Sequence, residues 1–97
     1  MSYKISANAS NDLEGIWLYT AENWSVEQAD RYLNLIFDEI EFLSTNPDSG
    51  KDFSSILEDY GYSKVKSHLI FYRKGRAEIE VIRILHQAMD LSNRLDE

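Results

Sequence analysis

The sequence predicts an α+β fold: a strand, a two-helix hairpin, a three-stranded antiparallel meander and a short C-terminal helix. Three observations predict it. Apolar residues recur at helical spacing from Leu13 to Leu43. From Gly61 the period shortens to two, the repeat of a half-buried strand. Between these regimes stands Pro47-Asp-Ser-Gly50, a turn sequence. The 97 residues suffice for a single domain, spanning 1–97, with one small core.

Tyr3 to Ala7 alternates and reads as the first strand. Leu13, Ile16 and Trp17 follow at i, i+3, i+4, one apolar stripe on a helix, which Tyr19 widens. Asp12 and Glu14 suit the positive end of that helix, and Asn8 or Ser10 could cap it. The second helix opens on Ser25 and Gln28, a capping box, with Trp24 placed to staple onto Ala29. Its stripe is Ala29, Tyr32, Leu33, Ile36, Phe37, Ile40 and Leu43, and Pro47 ends it at Asn46. The short break makes the two helices an antiparallel hairpin. Lys51 to Tyr60 reads as a loop with one helical turn. Three strands follow: Tyr62–Lys66, His68–Arg73 and, beyond a hairpin loop at 74–77, Glu78–His86. Strict alternation puts Ile82 and Ile84 on one face of the last strand and Ile79, Val81 and Leu85 on the other. That pattern marks a central strand covered on both sides, or one covered on one side by a partner. Gln87–Leu95 reads as a closing helix, and the first strand should pair at the sheet edge.

Composition narrows the function. Apolar residues at 43% and charged residues at 28% are globular proportions. No apolar run reaches the roughly 20 residues a membrane helix needs, and Met1–Ile5 shows no signal-peptide pattern. The absence of cysteine removes disulfides and thiolate chemistry. The net charge of −7 is unevenly spread. Acidic residues dominate up to Tyr60. Between Gly61 and Arg83, Lys64, Lys66, Arg73, Lys74, Arg76 and Arg83 face only Glu78 and Glu80. Broad nucleic-acid binding calls for a positive protein, so the expectation here is a local contact at most.

Five segments carry a family resemblance. Asp12-Leu13-x-x-Ile16-Trp17-x-Tyr19 resembles a ParE first helix, and Gln28-Ala29-x-x-Tyr32 the start of its second. Asn46-Pro47-x-x-Gly50 is similar to its helix exit, and Ser67-His68-x-Ile70-Phe71-Tyr72-Arg73 to its middle strand. Arg83-Ile84-Leu85-His86-x-x-Met89-Asp90 resembles its end and is the most diagnostic. In order over nearly the whole chain, they identify it as resembling the ParE branch of the RelE/ParE toxin superfamily. The resemblance implies a cytoplasmic toxin of a plasmid-stabilising toxin–antitoxin system. It implies neutralisation by a ParD-type antitoxin and inhibition of DNA gyrase without catalysis or cofactor. The alternatives are a ribosome-dependent mRNA endonuclease, as in the RelE branch, and a non-toxic antitoxin-binding homologue.

The residues bear on that choice. RNA cleavage through the 2′-hydroxyl needs a base, an acid and cations for the phosphorane. His86 and Arg83 are the obvious pair, but side chains three apart on a regular strand point to opposite faces unless a bulge intervenes. His86 is therefore expected to cap the core, and His68 to sit at a strand edge bonded to backbone. Glu78 and Glu80 are expected to be solvated. Two histidines without a spaced carboxylate do not announce a metal site. Lys64 and Lys66 are expected on one strand face. Arg83, mid-strand among apolar neighbours, needs an acidic partner, either Asp90 or a group on the antitoxin. Lys64, Lys66, Arg73, Arg83, His86 and Asp90 are thus the candidate residues for contact with target or antitoxin.

Overall fold

The computed structural model describes residues 3–52 and 58–87. The elements are β1 (Tyr3–Ile5), α1 (Ala7–Asn23), α2 (Val26–Thr45), β2 (Lys51–Asp52), β3 (Tyr60–Val65), β4 (His68–Lys74) and β5 (Ile79–His86). They form one five-stranded sheet in the order β1-β5-β4-β3-β2. The meander β3-β4-β5 is antiparallel, and β1 joins its β5 edge in parallel, with Ile5 opposite Val81. The α+β class, the helical hairpin, the meander and the edge position of the first strand stand as predicted. The two-residue β2 replaces the start of the expected loop. The expected closing helix and Asp90 lie outside the described residues.

Both helices start where a hydroxyl can cap them. Ser6, rather than Asn8 or Ser10, caps α1 by accepting from Ala9 N at 3.0 Å. Its own hydroxyl donates to the Ile82 carbonyl at 2.7 Å, which anchors the helix start on β5. Ser25 caps α2 by accepting from Gln28 N. Trp24 is no staple: it is 68% exposed and sits 6.1 Å from the Tyr19 ring. Its position at the end of α1, where its N–H closes onto Thr20 O, turns it toward that helix. Trp17 Nε1 donates to Asp30 and ties the two helices together.

The core lies between the hairpin and one sheet face. Leu13 of α1 and Ile36, Ile40 and Leu43 of α2 pack with Ile70, Tyr72, Ile79, Val81 and Ile84. Each fully buried aliphatic side chain contributes roughly 1.5–3 kcal/mol relative to exposure. The opposite face carries a smaller cluster of Leu69, Phe71 and Leu85 with Tyr60 and Tyr62. Tyr72 explains the spacing of the Asn46-Pro47-x-x-Gly50 turn. Its hydroxyl donates to the Pro47 carbonyl at 2.6 Å, and its ring fills the space beside Gly50 and Gly61. A Cβ on Gly50 would meet that hydroxyl and lie 2.9 Å from the Tyr62 carbonyl, so only glycine fits there.

The strands depart from strict alternation at one place. Phe71 pairs with Arg83 and Tyr72 with Val81, so Ile82 is an extra residue on β5. The bulge resets the parity. Ile79, Val81 and Ile84 all belong to the helix-side cluster, whereas alternation had put Ile84 on the other face.

Candidate functional site

Beyond Val81, β5 has no strand neighbour on the β1 side among the described residues, because β1 ends at Ile5. Helix α1 takes over that role through side chains. Ser6 satisfies the Ile82 carbonyl, and Asp12 Oδ2 accepts from Ile84 N at 2.9 Å. The same carboxylate grips Arg83 through two bonds, Nε to Oδ2 at 2.8 Å and an outer nitrogen to Oδ1 at 3.1 Å. Asp12 is thus an acidic partner of Arg83 that the sequence reading did not name; Asp90 lies outside the described residues. Asp12 sits four residues before Ile16, on the sheet-facing side of α1. An acid at that phase was a readable signal that the chain-end reading of its charge missed.

The bulge also decides where His86 points. Arg83 and His86 line one groove, bounded by α1, the first half of α2, the start of β4 and the end of β5, with a volume of about 830 Å³. The two were expected on opposite faces. The irregularity at Ile82 precedes both residues and leaves 83–86 in regular register with β4, so Arg83 joins the groove through its bonds to Asp12 of α1 rather than through a change of parity. His68 lies directly opposite His86 in the β4–β5 register, with ring centroids 5.3 Å apart and planes at 84°.

His68 is held by a side chain, not by backbone. Its Nδ1 lies 2.6 Å from the Tyr32 hydroxyl, and that hydroxyl lies 3.2 Å from the Val65 carbonyl. One proton arrangement satisfies both contacts in a neutral ring: Nδ1–H donates to the phenol oxygen, and the phenol donates to the carbonyl. The Nε2 lone pair is then left bare. Burial holds the imidazole below its usual pKa of 6.5. The charge of His86 pushes the same way and the Asp12 carboxylate pushes back.

The remaining lining divides by character. Tyr19, Trp24 and Leu35 form an exposed apolar rim. Gly15, in the middle of α1, presents bare backbone, and a Cβ there would meet nothing within 4 Å. Arg31 and Lys66 add cations, so among the described residues three cationic side chains and one carboxylate line the groove of a protein with net charge −7. Lys66 has φ 55°, a left-handed conformation that costs a lysine roughly 1–2 kcal/mol and turns it out of the strand.

The candidate residues therefore separate. Lys66, Arg83 and His86 meet in the groove. Lys64 does not share a face with Lys66: it is exposed on β3 opposite Leu69, which belongs to the far cluster. Arg73 is exposed and pairs with Glu80 at 3.3 Å, while Glu78 pairs with Lys4 at 3.6 Å, so neither glutamate is merely solvated. Among the described residues no group of three or more potential ligands could hold a metal, and no helix is long and apolar enough to cross a membrane. Sequence reasoning missed Asp12, Tyr32, His68 and Arg31.

A two-helix hairpin on a mixed five-stranded sheet, with this groove at its edge, defines a protein of the RelE/ParE type. Residues 3–91 match the family model described as ParE toxin of type II toxin-antitoxin system, parDE. The chain is 37% identical over 94 residues to a Toxin ParE1 of Mycobacterium tuberculosis, covering 96% of both chains. It is 36% identical over 88 residues to a Toxin ParE1 of Caulobacter vibrioides, covering 91% of both. A Toxin ParE of Escherichia coli is 32% identical over 96 residues, covering 97% of this chain and 92% of its own. A solved structure titled "Chromosomal ParDE TA system from P. aeruginosa" shares the fold, with a TM-score of 0.76 at 20% identity, covering 89% of this chain and 95% of its own. The chain belongs to the ParE toxin family of type II toxin–antitoxin systems.

Proposed function

We propose that this toxin acts in the cytoplasm by inhibiting DNA gyrase without catalysis, and that a ParD-type antitoxin neutralises it by occupying the groove. The observation that carries the docking half is charge. A basic, apolar-rimmed groove in a strongly acidic protein suits a tail that brings carboxylates to Lys66 and Arg31 and apolar side chains to Tyr19, Trp24 and Leu35. The proposed docking surface centres on the helix-side groove, which Lys66 lines and Lys64 does not. The non-catalytic half is supported by Arg83, whose guanidinium is committed to Asp12 and is not presented bare to a phosphorane.

A second reading, ribosome-dependent mRNA cleavage, rests on the convergence of His68, His86 and Tyr32 with Lys66 and Arg31 in one groove. Inducing the toxin in cells and following growth, DNA synthesis and message integrity together separates the readings. Gyrase inhibition predicts arrested DNA synthesis, stalled gyrase–DNA complexes and intact messages. Site-specific message cleavage early in induction overturns it. Antitoxin binding without any growth defect identifies a non-toxic homologue.

A further inference from the structure

We propose that His68 and His86 form a binding site for a late first-row divalent transition metal, of the Zn2+, Ni2+ or Cu2+ class, at the β4–β5 end of the groove. Seventeen residues lie between the two in sequence, and nothing in their spacing suggests chelation. The register places them directly opposite each other on antiparallel strands. Side chains so paired share a sheet face. Both rings are partly exposed and both line the groove, so a hydrated ion can reach them.

The separation fits a chelate. A metal about 2.0–2.1 Å from one nitrogen of each ring, at a tetrahedral angle, holds the two ring centroids about 5 Å apart. The observed value is 5.3 Å. The planes stand at 84°, so the His86 ring must turn about its side-chain torsions to bring one nitrogen toward Nε2 of His68. His68 is already prepared: Tyr32 holds Nδ1 and leaves Nε2 as the ligand atom, the outer-sphere arrangement that orients metal-binding imidazoles. His86 needs one nitrogen for the ion, and its other remains available to a neighbour. Two nitrogens from the chain leave the other positions to water. Imidazole ligands favour copper, nickel and zinc over magnesium or calcium.

The chain has two histidines and no cysteine, which makes the test clean. The untagged full chain is loaded with Cu2+ and the nitrogens coupled to the copper are counted by electron paramagnetic resonance. Its melting temperature is followed in parallel in roughly 1 mM Zn2+. The proposal expects coupling to two imidazole nitrogens and a rise in melting temperature of about 5 °C. His68→Gln and His86→Gln should each lose both signals. Coupling to one imidazole or none, or an equal zinc response in wild type and both variants, overturns it. If either variant does not fold, the nitrogen count on the wild-type chain decides alone.

Discussion

The two halves of β5 are held in different ways. Ile79, Glu80 and Val81 have strands on both sides, with β4 on one and β1 on the other. Ile82 to Ile84 have β4 on one side and, on the other, the side chains of Ser6 and Asp12 from α1. In the first half the chemistry is that of an ordinary ladder, and its side chains are core. In the second half a bulge and a carboxylate do the work of a strand, and side chains of this half reach the groove. A strand neighbour would have covered β5 with backbone. A helix neighbour leaves room beside it for the groove and for Arg83 and His86 to face it. The fold thus opens its candidate site where the sheet stops being regular, as bulged strands commonly do beside functional sites.

The largest effects should come from breaking each half in its own way. Ile79→Ala removes a buried side chain and should cost about 2–5 kcal/mol, whatever is bound. Asp12→Ala should cost about 1.5–3 kcal/mol, because it leaves Arg83 and the Ile84 N–H without their shared acceptor. Asp12→Asn should recover part of that loss, since an amide oxygen still accepts from Ile84, whereas no such rescue exists for Ile79. Urea denaturation of the three variants checks the order. Full stability in Asp12→Ala would show that α1 does not stand in for a strand.

A smaller effect concerns pH. The imidazole of His68 is held below 6.5 in the folded chain, so near and below that pH the unfolded chain takes up the proton more readily. This group therefore contributes its stability in full above about pH 6.5, and loses it as pH falls toward the lowered folded value. His68→Gln should flatten that part of the stability profile, as measured by thermal melts from pH 8 down to about pH 5. A profile identical to wild type would mean that burial in the groove does not hold the ring below its usual value.

Much of the first half was legible in the sequence, and little of the second. The period change at Gly61, the Ser25–Gln28 cap and the end of α2 before Pro47 are local patterns, and each appears in the structure. The parity of β5 held as far as Val81 and failed at Ile84, because an inserted residue leaves no mark in an alternating apolar run. The groove inherits that difficulty. Lys66 could be placed on a strand only so long as its turn was unseen. Asp12 was read as a charge for the helix dipole, when its partner lies 71 residues away. The pairing of His68 with His86, and of His68 with Tyr32, exists only through register and helix packing, which no short window contains.

The central claim is that the antitoxin uses the helix-side groove and not the opposite sheet face. Charge steers association more than it sets affinity, so the most direct measurement is the association rate with the antitoxin at low and high salt. Two double variants are compared: Arg31→Glu with Lys66→Glu in the groove, and Lys64→Glu with Arg73→Glu on β3 and β4. The account predicts that the groove variant slows association by about tenfold or more at low salt, with the difference shrinking as salt rises, while the sheet variant stays near wild type. Slowing by the sheet variant alone, or no change in either at any salt concentration, would contradict it.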